Sequence, residues 1–264
     1  MNRFSNAHSF ARKPFVAALT AIALSLGLSA CGGGGDSNDE APAVINPTSS
    51  ILQGRWASTG LDPAYTAIAV PASSGANTPA VDTLWGLAQD GSTLYKLQAN
   101  GADGAAATVT GKRFTLGTDA VAAVTPGSYS VSSTTGTQLT LQSALGASAT
   151  FTRSDVMSTP LRADQANGSW RAALGSIEVS WTVQSAGIAN NLTGTSTSGC
   201  TYSGASTVVA SQSLYQVSFE ENCAGTTQRF SGIATISGDD SRLTVVATNA
   251  DESRGVALLF ARQP

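Results

Sequence analysis

Apolar and polar residues alternate with a period of two along most of the chain beyond residue 90. The clearest run is Ile177–Gln184: Ile177, Val179, Trp181 and Val183 fall on one face, Glu178, Ser180, Thr182 and Gln184 on the other. Leu214–Glu220 repeats the pattern, with Tyr215, Val217 and Phe219 set against Gln216, Ser218 and Glu220. Successive side chains of a strand point to opposite faces, so this period predicts strands with one buried and one wet face. It recurs at Thr93–Leu97, Arg113–Leu116, Ser128–Ser132, Gln138–Leu141, Ala147–Arg153, Arg229–Ile236, Leu243–Ala247 and Val256–Arg262. Clusters of Gly, Ser, Thr, Asn and Asp separate the runs, as turns require. No stretch sustains helical spacing between caps. The predicted fold class is all-β, as two small antiparallel β-barrels (or sandwiches) in tandem.

The tandem follows from repeated landmarks. Gly54-Arg55-Trp56 returns 114 residues later as Gly168-Ser169-Trp170, and each half has a second tryptophan (Trp85, Trp181) with a glycine six positions on (Gly91, Gly187). Each half closes on paired strands, Leu139 and Leu141 before Phe151 and Arg153, and Leu243 and Val245 before Phe260 and Arg262. These landmarks place a first β-domain at 51–158, a linker at 159–165 and a second β-domain at 166–264.

Ahead of the strands the chain changes character. Arg3, Arg12 and Lys13 precede the nearly unbroken apolar run Phe15–Ala30. That run is short for a spanning helix and ends in small residues, so residues 1–30 are expected to be a secretory signal peptide. Its end, Leu28-Ser29-Ala30-Cys31, resembles the lipobox of bacterial lipoproteins. The resemblance implies that a diacylglycerol group is attached to Cys31, that the signal is cut before it, and that the new amine is acylated, with palmitate as the typical chain. Gly32, rather than Asp, follows the cysteine, which the resemblance ties to an outer-membrane address. Several acyl chains anchor far more firmly than one, at about 0.8 kcal/mol per buried CH₂. Residues 31–50 hold glycines, acids and prolines with almost nothing to bury, and are expected to form a flexible tether.

Cutting the signal changes the available chemistry. It removes the single histidine, His8, and three of the 14 basic residues, leaving 11 against 17 acidic groups and a net charge of −6. A chain without histidine has no Ser-His-Asp triad and no histidine-ligated zinc. With Lys96 and Lys112 as its two lysines and its arginines scattered, it presents no basic stripe for nucleic acid. The motifs G-x-S-x-G and Ser-x-x-Lys and a phosphate-cradling glycine loop are absent. Glu220 and Glu221 point to opposite faces of a strand, unlike the facing carboxylates of a glycosidase. Asp239-Asp240 and Asp251-Glu252 lie in turn-like sequences, where solvated acids are expected. The chain is therefore not expected to be an enzyme or to hold a catalytic residue, metal or cofactor. With Cys31 lipidated, Cys200 and Cys223 are expected to form a disulfide in an oxidising compartment.

A Gly-x-Trp on a first strand and an arginine ending the last resemble the calycins, the lipocalin-like barrels. The resemblance implies that the arginine packs across the tryptophan and closes one barrel end, pairing Trp56 with Arg153 and Trp170 with Arg262. Phe151 shares a face with Arg153, and Phe260 with Arg262, so each arginine starts from an inward position. A guanidinium over an indole in a partly dry site contributes on the order of 1–2 kcal/mol. Eight strands of about six residues nearly exhaust each half, so side chains are expected to fill the interiors. The expected role is a non-catalytic envelope protein, held to the membrane by lipid, that binds a protein partner or is structural. The alternative is a lipocalin-like carrier of a small apolar ligand, or an inhibitor of a host or rival enzyme. An interior cavity near the roughly 300 Å³ lower end for ligand sites distinguishes the carrier.

Overall fold

A computed structural model describes residues 51–71, 81–100, 107–117, 120–131, 136–210 and 212–264. The signal, the lipobox with Cys31 and the tether lie outside the described residues. The first eight strands are β1 (Gly54–Thr59), β2 (Tyr65–Val70), β3 (Val81–Ala88), β4 (Thr93–Asn100), β5 (Ala107–Thr115), β6 (Val121–Val131), β7 (Gln138–Ser143) and β8 (Ser148–Asp155). Each pairs antiparallel with the next, and β8 returns to β1 to close a barrel. The second eight are β9 (Gly168–Leu174), β10 (Ile177–Ala186), β11 (Ala189–Ser196), β12 (Thr201–Val208), β13 (Tyr215–Cys223), β14 (Thr226–Ile236), β15 (Arg242–Asn249) and β16 (Gly255–Arg262). They close a second barrel through Ala261↔Arg171 and Arg262↔Trp170. The chain thus forms two closed antiparallel eight-stranded barrels in tandem, and closure leaves neither sheet an edge to protect.

Several strands run beyond the stretches that alternate. β5 starts at Ala107 rather than Arg113, β6 at Val121 rather than Ser128, and β13 one residue after Leu214. Alternation does not reveal β2, β3, β11 or β12, for two physical reasons. In β2 and β3 both faces are buried: Ala67, Ala69 and Leu84 pack inside the barrel, while Ile68 and Trp85 join a core outside it. In β11 and β12 inward positions carry Asn190, Gly194 and Ser206, so hydrogen bonding to strands on both sides holds them in place of an apolar stripe.

The second tryptophans are not equivalents. Trp56 and Trp170 open the first strands of their barrels, but Trp85 sits on the third strand of one and Trp181 on the second strand of the other. Trp85 packs outward and Trp181 inward. Inside the second barrel the Trp181 ring lies 5.1 Å from Phe219 and 4.7 Å from Phe260, and Phe219 stacks on Phe230 at 5.2 Å. Gly194 faces Trp181 across the β10–β11 pair, where a Cβ would collide with the indole. The Cys200–Cys223 disulfide joins the start of β12 to the end of β13. Closing its loop stabilises by roughly 3 kcal/mol on the chain-entropy model.

A third core lies between the barrels. Ile68, Trp85, Leu94 and Phe114 of the first meet Ile233, Val246 and Ala257 of the second, with Met157 and Leu214 from the connecting segments. The turn between β15 and β16 reaches across this seam. Lys96 Nζ is 2.7 Å from Glu252 Oε1 and 3.2 Å from Thr248 Oγ1, and Lys112 Nζ donates to the carbonyls of Asp251 and Glu252 at 3.1 Å.

Candidate functional site

The two interiors differ. In the first barrel several inward positions are small: Ala67 on β2, Gly86 on β3 and Ala149 on β8. At Gly127 a Cβ would collide with the Gln142 carbonyl, so β6 passes β7 there without a side chain. Together they leave a cavity of about 250 Å³ walled by Leu84, Leu97, Val109, Val124, Leu141 and Phe151. Filling by side chains, expected of both barrels, therefore does not describe the first.

The cavity occupies the half of the barrel away from the Trp56 end, since Leu61 after β1 and Ser143 and Ala147 of the β7–β8 turn border it. Its polar groups are neutral. The Tyr65 and Tyr95 rings meet edge to face at 5.7 Å. Burial first, and the neighbouring Tyr95 next, raise the pKa of the Tyr65 hydroxyl above its usual value. Ser143 Oγ is buried with no hydrogen-bond partner. Among the described residues no charged side chain lines the space.

The opposite end is closed alike in both barrels. Arg153 lies 4.4 Å over the Trp56 ring and Arg262 4.3 Å over Trp170. Each indole N–H donates to the carbonyl four residues earlier, Leu52 or Ala166, at 2.8 Å. Arg153 donates to the Ile51 carbonyl, and burial lowers its pKa. Arg262 donates to the carbonyls of Asn167, Gln165 (2.6 Å) and Asp240 (2.7 Å). These arginines satisfy backbone carbonyls that strand pairing leaves free, and they hold the preceding segment across the barrel end.

The half of the second barrel that corresponds to the cavity is occupied. Tyr202, Phe219 and Phe230 fill it, Arg254 lies 5.5 Å over Phe230, and the disulfide closes beside them. Glu221 points inward, accepting from Tyr202 at 3.0 Å and from Arg254 at 2.7 Å, whereas Glu220 points outward to Arg229. Cys200, Cys223 and Glu221 converge within 4.8 Å, but the sulfurs are bonded to each other and the carboxylate is engaged. A metal needs free thiolates there, so the cluster serves the fold.

The turn acids divide. Hydrogen bonds from Ser237, then Ser241, hold Asp239 to a pKa of about 2, and Ser253 lowers that of Asp251. Glu252, by contrast, binds both lysines across the seam. Sequence reasoning left Lys96 and Lys112 unassigned. The two lysines are cross-strand partners on β4 and β5. In comparisons with known proteins, no family model, curated protein or solved structure matches this chain.

Proposed function

We propose that this is a lipid-anchored envelope protein whose first barrel carries a small apolar molecule, while the filled second barrel acts as a rigid, disulfide-tied companion. The cavity of about 250 Å³ carries the proposal, because it sits near the lower end of ligand-site volumes and has apolar walls. An apolar molecule entering it would take these walls out of water. The Trp–Arg closures, which resemble those of the calycins, support a carrier.

Two measurements test the parts separately. Cys31→Ser is expected to move the protein from the membrane to the soluble periplasmic fraction, and unchanged membrane attachment counts against the anchor. The full chain carrying Cys31→Ser, which has no acyl chain to compete for the cavity, is expected to bind n-butylbenzene 1:1 in titration calorimetry. At about −0.6 kcal/mol per carbon the Kd falls in the tens of micromolar. Ala149→Phe, which fills the space, is expected to abolish that binding. Absence of saturable binding below about 1 mM in the unfilled protein sinks the carrier.

A further inference from the structure

We infer that the first barrel takes single-chain amphiphiles with an anionic head: the chain enters the cavity, and Arg113 holds the head in water at the mouth. The inference rests on the carrier proposal and names its ligand class. The barrel has one closed end and one open end. At the closed end Leu52 and Trp56 are fully buried, with Arg153 over the indole. The cavity is open to water, and its lining runs from buried Leu84, Leu97 and Phe151 to partly exposed Leu61, Tyr65 and Tyr95. A wholly apolar ligand there leaves one end in water. An amphiphile lays its chain against the walls and keeps its head hydrated, so neither part is in the wrong solvent.

Strand register puts a cation at that mouth. Between β4 and β5, Tyr95 pairs with Arg113, Leu97 with Gly111 and Ala99 with Val109. Tyr95, Leu97, Ala99 and Val109 all belong to the interior core, so Arg113 starts from an inward position next to Tyr95. It lies near the open end of β5, is exposed, and does not line the cavity, which leaves its guanidinium in water at the rim. Among the described residues no carboxylate pairs with it. In the second barrel, by contrast, inward-facing Glu221 is met by Arg254 at 2.7 Å. An unpaired guanidinium presents parallel N–H donors that fit two oxygens of a sulfate, phosphate or carboxylate. Asp62 and Asp90 occupy the turns after β1 and β3. They act on a head group through water and are screened beyond about 8 Å at 0.15 M salt, so the direct contact with Arg113 decides the sign.

The test uses the full chain carrying Cys31→Ser, titrated below micelle-forming concentrations with decyl sulfate, decyltrimethylammonium, decyl maltoside and n-butylbenzene. The first three share one chain and differ in the head. Decyl sulfate is expected to bind about tenfold tighter than decyltrimethylammonium. Decyl maltoside is expected to bind saturably, because its bulky head stays outside the mouth. Adding Arg113→Gln is expected to weaken decyl sulfate about tenfold and to leave decyl maltoside and n-butylbenzene within about twofold. Retained n-butylbenzene binding also shows that the variant has folded. Adding Ala149→Phe instead is expected to abolish binding of all three decyl probes, as a chain inside the cavity requires. Decyltrimethylammonium binding as tightly as decyl sulfate, decyl maltoside without saturable binding, decyl sulfate binding unchanged by Arg113→Gln, or decyl sulfate still binding the Ala149→Phe variant overturns the inference. In each case n-butylbenzene binding leaves the carrier intact. Failure of all four probes overturns both.

Discussion

Phe114→Ala is expected to destabilise the protein by about 3–5 kcal/mol and to split one melting transition into two. Phe114 ends β5 with 1% of its surface exposed, inside the core shared by both barrels. Its ring lies against the backbone of Gly255, where even a Cβ would approach within 2.5 Å. Alanine there leaves a void between two closed barrels, neither of which can shift a single strand to refill it. The Lys96–Glu252 pair does not compensate, since a partly exposed ion pair contributes about 0–1 kcal/mol. Its service is alignment, because it fixes the β15–β16 turn over β4 and β5. For a body of about 200 residues the loss corresponds to roughly 10 °C. Scanning calorimetry of the parent should give one transition. Two well-separated transitions in the parent, or a variant melting within about 2 °C of it, means that the seam does not hold the barrels together.

Alternation along the sequence distinguishes two faces of a strand, but it does not say which face meets a barrel interior and which meets a neighbour. Where one face is wet, as at Tyr215, Val217 and Phe219, the strand is legible and its inward residues are buried. The same parity separates Glu221, which turns into the barrel, from Glu220, which does not. In β3, Leu84 and Trp85 are adjacent and both buried, one inside the barrel and one in the seam, so the alternation vanishes. The Trp–Arg closures are legible because they need only one residue at each end of a half. The lysine clasp is not, since its one carboxylate, Glu252, lies 140 residues beyond Lys112, and farther from Lys96, in what reads as an ordinary solvated turn. The cavity is the hardest feature to foresee. It depends on Ala67, Gly86, Gly127 and Ala149 falling together in three dimensions, and small residues look alike in sequence whether they line a void or a packed wall.

The steepest pH dependence is expected in alkali, from two tyrosines of the second barrel. Tyr202 and Tyr215 are 8% and 1% exposed, and their pKa values are both pushed up to about 12. Burial is the main cause in each, followed by the charge of Glu221 for Tyr202 and of Asp240 for Tyr215. Each neutral phenol also donates a hydrogen bond, to Glu221 at 3.0 Å and to the Arg162 carbonyl at 2.7 Å, which a phenolate could not do. The folded values exceed the unfolded value near 10, so the unfolded chain loses these protons first. Stability is therefore fully present below pH 10 and falls as pH rises from 10 to 12. Two units for each residue amount to about 5 kcal/mol together by pH 12. Denaturant midpoints measured at pH 8, 10, 11 and 12 should trace this loss. Tyr215→Phe is expected to cost about 1 kcal/mol at pH 8, where a hydrogen bond is removed, and to reduce the alkaline slope by about half. A midpoint that stays flat to pH 12, or an unaltered slope in the phenylalanine variant, would show that these phenols ionise as readily in the barrel as in the unfolded chain.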